Sequence, residues 1–204
     1  GILFISASLF AQQPYQFTEI IDLEATPVIS QGRTGTCWSF SSTSFLESEI
    51  IRLTGKQIDL SEMYTVRNTY PKKAENFVMR QGKAQFSEGG LAHDVMNSVR
   101  EYGLVPQEAF SGLQTGEESH NHAELVAVLE AMLKTYIDNP GRKLSKNWKP
   151  AIEAVVDIYL GKNPTTFTFE GKSYTPASFR DMLKINAEDY VTITSFTHAP
   201  FYSE

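Results

Sequence analysis

Apolar positions recur along much of the chain with the 3.6-residue period of a helix. Leu46, Ile50 and Leu53 fall at i, i+4 and i+7, and Trp38 and Phe45 lie seven apart. Gly55 follows where a helix C-terminus favours a left-handed residue, so a helix is predicted from about Cys37 to Thr54. A second is predicted from about Gly90 to Tyr102, with Leu91, Val95, Val99 and Tyr102 on one stripe and Gly103 and Pro106 as stop signals. Leu125, Leu129, Met132 and Tyr136 repeat the pattern over 121–138, and Trp148, Ile152, Val155 and Tyr159 repeat it over 148–160, ahead of Gly161. The period then shortens to two. Thr166-Phe167-Thr168-Phe169 alternates, Glu170-Gly171 can turn and Ser173-Tyr174 can return, which predicts a small hairpin. Thr175-Pro176 opens another short helix, and the β-branched alternation from Tyr190 to Thr194 predicts that a strand begins there.

Composition narrows the class. With 204 residues, 41% hydrophobic and 21% charged, the chain can bury one sizeable core. Acidic residues outnumber basic ones 24 to 18 and no Lys/Arg cluster is present, so nucleic acid is not an expected partner. The run Ile2 to Ala11 is apolar and rich in small residues, too short to span a bilayer, and gives way to Gln12-Gln13-Pro14. Residues 1–12 therefore read as a signal peptide remnant, and the natural beginning is expected to be missing. The mature chain is then expected to be secreted or periplasmic, without membrane insertion. Against this stand the absence of an initiating Met and a basic stretch, and Leu9 three places before a cut after Ala11. The alternative is a buried strand or helix in a cytoplasmic protein.

Cys37 is the single cysteine, so no intrachain disulfide can form. A lone cysteine is ordinarily a small buried hydrophobe. Its neighbours argue otherwise: Gln31-Gly32-Arg33-Thr34-Gly35-Thr36 is a glycine-rich loop that delivers Cys37 to the start of an amphipathic helix. Unpaired N–H groups and the macrodipole at a helix N-terminus favour an anion, and so a thiolate over a thiol. A thiolate attacking an amide carbonyl needs donors near the new oxyanion, and the Cys37 N–H and the Gln31 amide, six residues upstream, are such donors.

A Gln six residues before a Gly-x-Cys-Trp at a helix start resembles the active-site motif of papain-like cysteine peptidases. Leu60-Ser61-Glu62 resembles the start of that family's second helix, and Glu88-Gly89-Gly90 its substrate-binding glycine pair, again ahead of a helix. The resemblance implies Cys37 as nucleophile, Gln31 as oxyanion donor, and Gly89 with Gly90 as the backbone edge for an extended peptide, with Trp38 lining the cleft. Thr34 stands where the secreted papain type carries a further cysteine, and Thr36 where Ser or Ala is usual. The run Leu60-Ser61-Glu62-Met63-Tyr64 and a helical insertion after about Leu113 resemble instead the bleomycin hydrolase and aminopeptidase C branch. That branch implies exopeptidase action on free N-termini and assembly into a homo-oligomer.

A mechanism of this type needs a histidine to share the proton. His198 follows Cys37 by about 160 residues, beyond the roughly 130 to 150 of compact relatives. Pro200 would interrupt a strand there and no orienting Asn follows, so the base and its Asn are expected after Glu204 and the 204 residues alone are expected to be inactive. His93 reads as a surface residue. His120 and His122, with Glu117 and Glu118, read as a polar loop leading into a helix; no metal and no cofactor is expected. The expectation is an α+β papain-like fold. Residues 13–112 would be the helical domain with the nucleophile, and 113–204 the insertion and the start of an incomplete β-rich half. The partner is a peptide substrate, and the rival reading is a peptide-binding module without catalysis.

Overall fold

A computed structural model describes residues 15–113, 116–139, 141 and 143–193. The expected signal segment and His198 lie outside them. Helix α1 spans Cys37–Thr54 and ends on Gly55, whose positive φ lets its N–H reach the Ile51 carbonyl at 2.8 Å. Helix α2 spans Glu62–Met79; the Ser61 hydroxyl caps it by accepting from the Tyr64 N–H at 3.0 Å. Helix α3 spans Ala92–Tyr102, two residues later than the sequence suggests, because Asp94 turns back to accept from the Leu91 N–H at 2.8 Å and sets the first turn there. Helices α4 (Ala123–Ile137) and α5 (Trp148–Leu160) follow.

Helix α2 touches α1, α3, α4 and α5, and it is buried on nearly every side, as a central helix must be. Met63, Val66, Tyr70 and Ala74 on α2, Leu125, Leu129 and Leu133 on α4, and Ile152 and Val156 on α5 belong to one core. The helical periods of α4 and α5 place these residues inward, as their sequence predicts. Two expected inward positions are not: Phe45 is 52% exposed and Leu91 62% exposed. Phe45 meets the Tyr190 ring edge-on instead, and Leu91 precedes its helix as the N-cap.

Strands β1 (Phe167–Phe169) and β2 (Lys172–Tyr174) pair antiparallel, with Phe169 opposite Lys172. The turn Glu170-Gly171 has positive φ at both residues, the twist that suits a two-residue hairpin loop. Phe167, Phe169 and Tyr174 pack their rings around Phe179 of α6 (Pro176–Met182), with centroids 5.1 to 5.6 Å away. Thr175 caps α6 by accepting from the Ser178 N–H at 3.1 Å. The strand expected from Tyr190 does not form over residues 190–193, which are unpaired among the described residues. A β-branched alternation becomes a strand only beside a partner for its backbone, and the hairpin pairs with itself.

Candidate active site

The loop before α1 is held by its own side chains. The Thr34 hydroxyl donates to the Gln31 carbonyl at 3.0 Å, and having spent its one hydrogen it accepts from Thr36, whose hydroxyl lies 2.5 Å away. The Gln31 side-chain amide donates to the Thr34 carbonyl. An amide nitrogen carries two hydrogens, so a second remains available. Gly32, with a φ of +67°, lies against the His120 backbone, and the Arg33 N–H donates to the His120 carbonyl at 2.8 Å. A Cβ at Gly32 would sit 2.6 Å from that carbonyl oxygen, so only glycine permits the approach.

Cys37 is the first residue of α1 and is exposed. Among the described residues nothing accepts from its N–H, as expected at a helix start. Glu88 ties this loop to the glycine pair. Its carboxylate accepts from the Gly35 N–H, and its carbonyl accepts from the Trp38 indole at 2.9 Å. Trp38 is buried, and its ring lies directly behind Gly90: a Cβ there would come within 2.6 Å of the indole. On the other flank, Lys73 of α2 donates to the Ser87 and Gly89 carbonyls. A groove of about 520 Å³ begins two residues further on, at Ala92, and runs past His93 and Met96 of α3 to Ser41 and Phe45 of α1 and Tyr190.

Cys37, Gln31 and the Gly89-Gly90 pair thus lie on two segments joined directly by Glu88 and Trp38. Trp38 contributes from behind the edge rather than from an exposed wall. The glycine motif in the sequence includes Glu88 but assigns it no role, and Lys73 belongs to no motif. An acid beside a glycine pair is a faint signal, and Lys73, on a helix fourteen or more residues away, gives none.

The histidines do not follow the sequence reading in every case. His93 is exposed, with Nε2 3.6 Å from Asp94. His120 and His122 do stand in a loop that leads into α4, but both are buried, and burial lowers the proton affinity of each, that of His122 to about 4. His122 Nδ1 lies 2.9 Å from the Tyr70 hydroxyl, which is itself buried. The Tyr70 ring of α2 meets His122 edge-on, and the two histidine rings pack against each other in the same way. Among the described residues no histidine is hydrogen-bonded to Cys37.

A group missed from the sequence is acidic. Glu47, Asp59 and Glu62 bring one carboxylate oxygen each within 4.8 Å of one another. Glu47 is engaged by the Leu60 N–H at 2.8 Å and the Thr26 hydroxyl. Glu62 is 3% exposed and burial pushes it up to about 8, so it holds a proton at neutral pH. Neutralising Glu62 relieves the repulsion between the two buried carboxyls, hydrogen bonds occupy Glu47, and Asp59 is exposed to water.

The model of the "Papain family cysteine protease" matches residues 18–157, more than half of the chain. Procathepsin L of Felis catus is 32% identical over 155 residues, 74% of this chain and 43% of its own length. A cathepsin L-like peptidase of Aedes aegypti is 28% identical over 159 residues, 74% of this chain and 42% of its own. The crystal structure of PepW from Lactobacillus rhamnosis superposes with a TM-score of 0.61 at 20% identity, over 84% of this chain and 47% of that one. The likeness extends to the fold, and the chain spans less than half the length of these proteins. It has the helical half of a papain-like fold and belongs to the papain family of cysteine proteases.

Proposed function

We propose that this chain supplies the nucleophile side of a cysteine aminopeptidase of the bleomycin hydrolase and aminopeptidase C type. The observation that carries the reading is the tie between Cys37 at the start of α1 and the Gly89-Gly90 edge, made through Glu88 and Trp38. In the proposed reaction the Cys37 thiolate attacks the scissile carbonyl carbon, and the carbonyl electrons move to oxygen. That oxyanion accepts from the Cys37 N–H and from the second Gln31 amide hydrogen. A histidine gives its proton to the leaving amine as the C–N bond breaks, and water then hydrolyses the thioester. Thr34 in place of a cysteine, the Leu60 to Tyr64 run and the helices α4 and α5 support the aminopeptidase branch. The base and its orienting Asn come from sequence after Glu204. The whole protein acts on free N-termini as a homo-oligomer after export directed by residues 1–12.

The test compares aminoacyl and N-blocked peptidyl fluorogenic amides on the chain with and without its natural continuation. The continued chain is expected to cleave the unblocked substrates, with Cys37→Ala abolishing the rate. Residues 1–204 alone are expected to be silent. Hydrolysis by 1–204 that His198→Ala removes would put the base within the chain, and cleavage of blocked peptides only would refute the aminopeptidase assignment. A chain that binds peptides but never cleaves them, with or without continuation, would be the binding module.

A further inference from the structure

The segment 87–90 has neither helix nor strand to hold it, yet three groups do. Glu88 and Trp38 bind it to the nucleophile loop. The third group is Lys73, two residues after Pro71 in the middle of α2. A lysine on a helix ordinarily keeps its ammonium in water. This one is half-buried, burial lowers its proton affinity, and the carboxylates of Asp94 and Glu88 oppose that loss. Two of its three donors go to the Ser87 and Gly89 carbonyls.

A trans peptide unit points its C=O and its N–H to opposite sides. The Gly89 carbonyl and the Gly90 N–H belong to one such unit. Fixing the Gly89 oxygen on Lys73 therefore turns the Gly90 N–H away from α2. Among the described residues nothing accepts from that N–H, and the Trp38 ring behind Gly90 leaves no room for a side chain.

We propose that Lys73 is a positioning residue for substrate: by holding the Gly89 carbonyl it aims the Gly90 N–H outward as a donor to the main chain of an extended peptide. The inference rests on the reading of Gly89-Gly90 as the substrate edge. Lys73 acts on peptide recognition and leaves the thiol itself unaffected.

The experiment uses the full 204-residue chain and two reagents for Cys37, chloroacetamide and an unblocked dipeptidyl chloromethyl ketone. In the wild type the peptidyl reagent is expected to react faster than chloroacetamide by more than its intrinsic reactivity explains. Lys73→Met is expected to lower that preference about tenfold, the effect of roughly one hydrogen bond, with the chloroacetamide rate unchanged. Lys73→Arg, which keeps the donors, is expected to restore it. In ¹⁵N-glycine spectra the Gly90 amide is expected to shift with dipeptide in the wild type and to stay in place in Lys73→Met. A wild-type preference in Lys73→Met overturns the proposal. If Lys73→Met does not fold, Lys73→Ala, which likewise has no side-chain donor, decides: a reduced preference supports the role of Lys73 and an unchanged one overturns it. A wild type without any peptidyl preference sinks the glycine-edge reading itself.

Discussion

The region where α4 and α5 meet α2 and the region around Cys37 are built on different physics. In the first, Leu125, Leu129 and Leu133 of α4 and Ile152, Val156 and Leu160 of α5 are buried in one apolar core with Met63, Val66 and Ala74 of α2, beside a single ion pair from Arg67 of α2 to Asp157 of α5. Burial of such side chains is non-directional and tolerates small shifts. In the second, irregular backbone is held by hydrogen bonds between residues distant in the chain: Gly35 to Glu88, Trp38 to Glu88, Lys73 to Gly89 and Arg33 to His120. Each is directional, and each fixes one peptide plane. A substitution therefore registers differently in the two regions. A change in the helical core alters stability, and a change around the loop alters reactivity while the fold persists.

The largest expected effect breaks the site alone. Gly90→Ala would drive a methyl group to within 2.6 Å of the Trp38 ring and push the edge outward. Its reaction with the peptidyl reagent is predicted to fall about 100-fold, the scale of a 1 Å misplacement, with little change in melting temperature. Trp38→Leu in the same chain is predicted to recover part of the loss. Leu129→Ala is the mirror case. It should cost about 3 kcal/mol in urea unfolding, and the ratio of the two alkylation rates should stay at the wild-type value below the transition.

Buried titratable groups sharpen the contrast, because they report on the scaffold through pH. His122 binds its proton less tightly in the fold, with an affinity near pH 4 against an ordinary 6.5. Its contribution to stability is present above pH 6.5 and lost as pH falls toward 4. Glu62 behaves oppositely, raised from 4.5 to about 8: its contribution is present below 4.5 and lost as pH rises toward 8. Stability measured by urea unfolding should therefore decline from pH 6.5 to 8, and Glu62→Gln should flatten that limb. Between 6.5 and 4.5 the two contributions oppose each other, so His122→Gln should leave stability rising as pH falls through that range. A decline in the wild type that Glu62→Gln leaves unchanged would refute the assignment to this carboxyl. The smallest effect is expected at Thr175→Ala, which removes the cap of α6 and should cost about 1 kcal/mol without touching Cys37.

How much was legible in the sequence follows the same division. The spans of α1, α4 and α5, the hairpin at Glu170-Gly171 and the short helix opened by Thr175-Pro176 come from local period and turn chemistry, and the structure has them. Cys37 at a helix start and Gln31 six residues before it are also local features. What the sequence hid depends on residues far apart in the chain. Glu88 meets Gly35 across 53 positions, and His122 meets Tyr70 across 52. His120 and His122 looked polar because their covering is supplied by other helices. Tyr190 to Ile193 looked like a strand because a strand's partner cannot be read from the strand.

Whether Cys37 is an accessible nucleophile is decided by its rate of alkylation by iodoacetamide, in the folded chain and in urea. Cys37, exposed at the start of α1, should react in the folded chain without waiting for unfolding, at a rate no slower than in urea. A thiol that reacts only after unfolding would contradict the account and make Cys37 a buried structural residue.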